Sequence, residues 1–221
     1  MTITVFKYGS SRFGENYIFR GGNAAVLRPI SFVFYLIETG DRRILVDVGC
    51  NDGAGFVMDM FQTPVASLQT YGLTPDDITD VVITHANHDH IEAIGAYTQA
   101  RIYLHAAELS AALLYLSAAK EVTTFKEELT LCDGVTIRPI GGHTAGSSVV
   151  LCRAAEGMYV LCGDECYVKA CFEERIPTGS SCNPQISEQF IETYGKPPYI
   201  PLLFHDPTIL DGRLGFAQIT K

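Results

Sequence analysis

The 221-residue sequence predicts an α/β fold in which two β-sheets pack together with helices outside. Three observations lead there. The first half carries short runs rich in β-branched and aromatic residues, ITVFKYG, SFVFYLIET, RILVDVG and DITDVVIT, separated by Gly, Asp and Pro, which read as strands. The second half repeats the theme with LTLCDGVTIRPIGG, SSVVLCRAAEGMYVLCGD and YIPLLFHD. In both halves helical patterns accompany the strands, and no linker or low-complexity segment intervenes, so residues 1–221 are expected to form one domain. At 47% hydrophobic and 19% charged residues, the chain has material for a sizeable core.

Taken in order, a helical stretch is expected around GFVMDMFQTPVASLQTYG, kinked or split by Pro64. After a further strand, RIYLH, comes AAELSAALLYLSAAK, where Leu109, Ala112, Leu113 and Leu116 share one helical face and are expected to contact the core. NPQISEQFIETYGK has the punctuation of a complete helix. Asn183 suits the N-cap, Pro184 the first turn and Gly195 the stop, with Ile186, Phe190, Ile191 and Tyr194 apolar at helical spacing.

The charge balance narrows the function classes. A net charge of −9 without a basic stripe opposes a phosphate backbone, so no nucleic-acid partner is expected and a small molecule is favoured. There is no apolar run of membrane-spanning length, and the opening MTITVFKYGS resembles no secretory signal, which points to a cytoplasmic protein without a membrane span. Seven cysteines with no CxxC do not suggest a disulfide framework; most are expected to be small buried residues.

Half of the six histidines fall in THANHDH, Thr84 to His90. The stretch follows an apolar strand, so His85, Asp89 and His90 can converge from a rigid base on one cavity. A polar turn with an accidental histidine cluster would explain this stretch alone. It does not explain the recurrence: His143 lies between glycines in GGHTAGSS, Asp164 ends a strand in LCGDECY, and His205 ends another in LLFHDP. Metal-binding residue types at four strand ends point to a metal site.

These residues resemble the pattern of the metallo-β-lactamase superfamily: HxHxDH, then a GHTxGS-type histidine, a bridging aspartate and a final histidine. The match runs in order from Val46 to His205. The resemblance implies an αββα sandwich of two mixed β-sheets with the site along one edge. It further implies that His85 and His143 bind a first zinc or similar divalent metal, that Asp89, His90 and His205 bind a second, and that Asp164 lies between them. Asp47, in LVDVG, would support the ligands by hydrogen bonding. Tyr167, three residues after Asp164, resembles the tyrosine of the N-acyl homoserine lactonase branch. On that likeness the expected activity is opening of a lactone or ester by a metal-activated water, with Asp89, Asp164 and Tyr167 as catalytic residues.

One position departs from the pattern. Asn87 stands where the second histidine belongs, and its amide oxygen is a poor zinc ligand, so the expectation is one firmly held metal and one weak one. His88 is expected to play a structural part rather than to replace the missing ligand. The same fold would also serve a thioesterase, a phosphodiesterase, a β-lactam hydrolase or a non-catalytic metal or ligand binder. Segments Arg12–Arg28 and Val168–Pro198, with Phe13, Tyr17, Phe19, Phe172 and Phe190, are candidates for the wall of a substrate pocket.

Overall fold

The apolar runs pair into two sheets because their residues are apolar on both faces, which lets each sheet be covered twice. The computed structural model describes residues 1–53, 55 and 57–220. In chain order the first half comprises β1 (Thr2–Gly14), α1 (Glu15–Ile18), β2 (Leu27–Thr39), β3 (Arg42–Val46), β4 (Met58–Phe61), α2 (Pro64–Tyr71), β5 (Asp80–Ile83), α3 (His88–Ile91), β6 (Arg101–His105), α4 (Leu109–Ala112) and β7 (Glu121–Phe125). The second half comprises β8 (Leu129–Cys132), β9 (Val135–Pro139), β10 (Ser148–Ala154), β11 (Gly157–Leu161), α5 (Lys169–Glu174), α6 (Pro184–Tyr194), β12 (Tyr199–Leu202) and β13 (Gly215–Gln218).

The first sheet runs in the order β13-β1-β2-β3-β5-β6-β7, with β4 also paired to β1; the second runs β12-β11-β10-β9-β8. Both are mixed. Parallel pairing joins β3, β5, β6 and β7 in one and β11 to β12 in the other, while the remaining pairs are antiparallel. Alternation along the strands sorts the core into layers. Val5, Val33, Tyr35, Ile37 and Val82 of the first sheet form one cluster with Val135, Ile137, Val150 and Leu161 of the second. The intervening residues Phe6, Phe34, Leu36, Val81, Val149 and Leu151 belong to another, with Leu68 of α2 and Phe190, Ile191 and Tyr194 of α6. The result is the expected αββα sandwich. With both faces apolar, register is pinned by shape: Phe6 pairs with Phe34 across β1 and β2, and their rings stack at 4.9 Å.

Helix α6 forms as its punctuation predicts. The Asn183 side chain accepts a hydrogen bond from the Ile186 N–H, Pro184 opens the first turn, and Ser187, Phe190, Ile191 and Tyr194 are buried. Two other helical expectations need correction. Pro64 does not kink a longer helix; it starts α2, with the Thr63 hydroxyl as N-cap and Gly72 as left-handed stop, and residues 58–61 upstream pair as strand β4 instead. Phe56 of that stretch lies outside the described residues. AAELSAALLYLSAAK breaks into short turns around α4, leaving Leu113 63% exposed while Ala112 is buried. Glu108 is buried instead, its carboxylate drawn inward by three hydrogen bonds, and of the expected stripe Ala112 is buried, Leu109 and Leu116 are half-buried and Leu113 turns outward.

Five of the seven cysteines are buried, Cys132 is half-buried, Cys182 is exposed, and all are free thiols. Among the described residues no helix is long and apolar enough to cross a membrane.

Candidate metal centre

The site gathers at the ends of strands from both sheets. β3 delivers Asp47, and β5 delivers the turn from His85 to His90. The β9–β10 loop supplies His143, β11 leads into Asp164, and β12 into His205. All but Asn87 and His88 of these are buried or nearly so, Asp89 being the most open at 9%.

Their ligand atoms fall into two groups that meet at Asp164. His85, His143 and Asp164 form one set, and Asp89, His90 and His205 another, each with its ligand atoms within 4.8 Å of one another. Asp164 Oδ1 lies 3.0 Å from Nε2 of both His90 and His205, while its Oδ2 lies 3.6 Å from His85 Nε2 and 3.5 Å from His143 Nε2. The two oxygens thus face different sets, as a bridging carboxylate requires. Nε2 of His85, His90 and His205 and Oδ1 of Asp164 are buried without a well-aligned hydrogen bond, the 3.0 Å approaches among them being charge contacts. Unpartnered buried polar atoms are costly, about 1–3 kcal/mol each. Four of them converging from imidazole and carboxylate fit a divalent metal such as zinc.

Charge divides the cluster along the same line. Burial opposes charge on every imidazole here, yet the carboxylates around His90 (Asp164, Asp47 and Asp89) hold its pKa well above the ordinary range, and Asp164 and Asp89 raise that of His205. For His85 and His143 burial wins, reinforced by the neighbouring His90, and their pKa values are lowered.

The ring orientations are fixed from behind. His90 Nδ1 donates to Asp47 Oδ2 at 2.7 Å, and His205 Nδ1 to the Ser31 carbonyl at 2.8 Å, so both turn Nε2 into the cavity. Asp47 also accepts from the Thr84 N–H at 2.7 Å and the Thr84 hydroxyl at 2.8 Å, which ties it to the base of THANHDH. It holds this place with a left-handed backbone, φ 59°, a conformation that costs a non-glycine residue about 1–3 kcal/mol.

Two carboxylates unanticipated from the sequence hold the loops. Buried Glu108 accepts from the Ala86 N–H, the Thr144 hydroxyl and the Gly146 N–H, linking the His85 turn to the His143 loop. Buried Glu165 accepts from the Gly142 and His143 N–H groups and from the Ser147 hydroxyl. Burial, with Asp164 alongside, pushes the Glu165 carboxyl up to about 7. Two of the three glycines of GGHTAGSS follow from these contacts, because a Cβ on Gly142 would strike the Glu165 carboxylate and one on Gly146 the Glu108 side chain. The only sequence signal for Glu165 is a charge inside the apolar run LCGDECY; Glu108 looks like any helix-surface glutamate.

Asn87 Nδ2 donates to His143 Nε2 at 3.0 Å, so the amide does reach the site. His88 points elsewhere, 3.1 Å from Asp52 and 3.5 Å from the Tyr115 hydroxyl. The Tyr167 ring is 4.7 Å from that of His205, and its hydroxyl accepts from Ser180 Oγ at 3.0 Å. Cys50 lies behind the turn against Tyr8, outside both ligand sets. A cavity of about 640 Å³ is lined by Phe19, Arg28, Val168 and Asp206 among others, the last two being chain neighbours of Tyr167 and His205, while none of the candidate ligands lines it. Phe13 and Tyr17 make an aromatic chain through Phe32 to His205, but Phe190 is core and Phe172 packs on it.

The family model of the metallo-beta-lactamase superfamily matches residues 33–189, which contain every candidate ligand except His205. The chain belongs to this superfamily. An N-acyl homoserine lactonase of Bacillus cereus is 25% identical over 65% of this chain and 67% of its own. The lactonase AiiB of Agrobacterium fabrum is 23% identical over 75% of this chain and 77% of its own. Among solved structures, an N-acyl homoserine lactone hydrolase with N-hexanoyl-L-homoserine at its metal centre superposes with a TM-score of 0.82 at 21% identity, covering 97% of this chain and 96% of that one. AidC, a dizinc quorum-quenching lactonase, superposes with a TM-score of 0.76 at 18% identity, covering 99% and 94%. Family, relatives and ligand clusters together support a metal-dependent hydrolase.

Proposed function

We propose that this superfamily member hydrolyses a lactone or a related ester of small-molecule size. The observation that carries the reading is the convergence of buried, unpartnered imidazole and carboxylate atoms from two ligand sets on Asp164. In this reading Asp89, His90 and His205 hold the firm metal, zinc by donor type, and His85 and His143 hold a weaker one, with Asp164 between. Asn87 is not a ligand. A bound metal supplies an activated water and polarisation of the carbonyl.

The chain's own residues do the rest. Asp47 and the Ser31 carbonyl aim His90 and His205, and where only the firm position is filled Asp164 would be free to accept the proton that the attacking water loses. The Tyr167 hydroxyl, kept neutral by burial and the Asp164 charge, donates to the oxygen on which negative charge develops. Water adds across the acyl C–O bond, the ring oxygen leaves with a proton, and a hydroxy acid results without redox change. The cavity walled by residues 15–29 and 168–176 takes the substituent of the ring.

The test is turnover of a panel of γ-lactones by zinc-loaded protein, run beside esters, thioesters, phosphodiesters and a β-lactam, with elemental analysis of the same sample. Lactone opening with a metal content nearer one than two equivalents is expected. Preference for another substrate class would move the protein elsewhere in the superfamily, and metal binding without any turnover would make it a binder.

A further inference from the structure

Asn87 is an exposed residue whose side chain reaches the ligand cluster, and three features make it more than a missing histidine. Its backbone is fixed, since it precedes α3 and its carbonyl accepts from the N–H groups of His90 at 3.0 Å and Ile91 at 3.3 Å. Its side chain is aimed by the contact with His143 Nε2. His143 is in turn held on its other nitrogen, 3.4 Å from Ser180 Oγ, which also donates to Tyr167.

An amide carries two N–H donors and a two-lone-pair oxygen. The contact with His143 uses one donor, and among the described residues no other group hydrogen-bonds to the side chain. At least one N–H therefore remains for a ligand at the mouth of the site, and both do if His143 turns to a metal.

We propose that Asn87 is a substrate-binding residue whose amide donates a hydrogen bond to the substrate carbonyl oxygen, opposite Tyr167, where a second-histidine metal position would otherwise act. This rests on the reading of the site as one for carbonyl compounds. It adds what the departure from HxHxDH does: a neutral donor on a fixed backbone takes over part of the carbonyl recognition. A neutral donor orients and polarises the carbonyl without adding charge, and it suits a substrate presenting a carbonyl at the exposed rim.

The probe is a γ-lactam bearing a hexanoylamino group and a ¹³C-labelled ring carbonyl, which resists hydrolysis. Calorimetry on zinc-loaded protein gives its Kd, and isotope-edited infrared difference spectra give the bound carbonyl band. The Asn87→Leu variant keeps side-chain size without donors, and Asn87→Ala repeats the comparison with a smaller change. Both are expected to keep wild-type zinc content, to bind the lactam roughly three- to tenfold more weakly, and to shift the carbonyl band to higher frequency. Unchanged Kd and band position, no lactam binding by the wild type, or loss of zinc from the variants would each overturn the inference. A wild type that opens no lactone but shows the Asn87-dependent band would sink the hydrolase reading and leave this one standing; lactone turnover with an Asn87-independent band would do the reverse.

Discussion

Burial and the neighbouring Asp164 charge hold the Tyr167 phenol well above its ordinary range, outweighing the Ser180 hydroxyl that donates to it, so it remains a donor at neutral pH. Because it touches the rings of the metal centre without belonging to either ligand set, its removal separates chemistry from metal binding. Tyr167→Phe is expected to keep near-normal zinc and to lose about 10- to 1,000-fold in turnover, the range for an oxyanion donor. Unaltered kinetics on the best substrate would leave Tyr167 a packing residue. His205 makes the opposite case. Its Nε2 faces Asp164 at 3.0 Å and Asp89 at 3.7 Å, so His205→Ala should abolish retention of the firm metal and hydrolysis together; full metal content after dialysis would remove it from the ligand set.

Among the elements, Glu108 shows what a single turn contributes. Its carboxylate joins the His85 turn to the His143 loop through two backbone N–H groups and the Thr144 hydroxyl. Glu108→Ala strands those buried donors, and at about 1–3 kcal/mol for an unmade hydrogen bond the loss should be roughly 3 kcal/mol in denaturant unfolding. Metal affinity should fall by about 10- to 100-fold, since the loops position ligands. Glu108→Gln, which keeps an acceptor oxygen, should do less damage; equal stability of Glu108→Ala and wild type would show that the three bonds hold nothing.

Glu108 also marks where reading the sequence stops. Strands β1, β2, β3 and β5 were legible because runs such as SFVFYLIET have no other way to bury two faces, and α6 because Asn183, Pro184 and Gly195 punctuate it. The edge strands β4, β7 and β13 were not, since MDMF, EVTTF and GFAQ are largely exposed or half-buried and carry a weak apolar pattern. At the site, histidines at strand ends are chemically distinctive, whereas Glu108 and Glu165 act through partners more than fifteen residues away that only the fold brings near.

At the scale of the molecule, charge and metal connect distant strands. Asp80 opens β5 with its side chain buried and bonds Arg42 through both oxygens at 2.6 and 2.9 Å. Burial pushes its carboxyl up, but the bonds from Arg42 and Thr79 and the charges of Arg42 and Arg101 outweigh that and hold it below the usual range. A depressed folded pKa contributes stability fully above the unfolded value, roughly 4, and loses it as pH falls through the depressed one. Asp80→Asn should therefore lower stability at pH 7 and flatten its decline below pH 4, as followed by thermal melts across pH; an acid limb as steep as that of the wild type would assign it to other carboxylates.

The candidate metal centre draws its residues from both sheets, and that dictates how the protein should melt. Asp89 and His90 come from the turn after β5 in the first sheet, while Asp164 and His205 follow β11 and β12 in the second, so a bound ion ties the sheets together at one edge. A ligand that binds only the folded state stabilises it by about 2.7 kcal/mol at a free concentration 100 times its Kd. For a chain of this size each kcal/mol moves Tm by roughly 2–4 °C, so saturating zinc should raise Tm by about 5–11 °C over chelated protein. The shift should be reversible on re-addition of zinc, smaller in Asp89→Ala and His205→Ala, and nearly intact in Asn87→Leu, since Asn87 lies outside both ligand sets. A Tm indifferent to chelation in the wild type would mean that the strand ends are locked by their own hydrogen bonds, and that the ligand clusters do not tie the sheets through an ion.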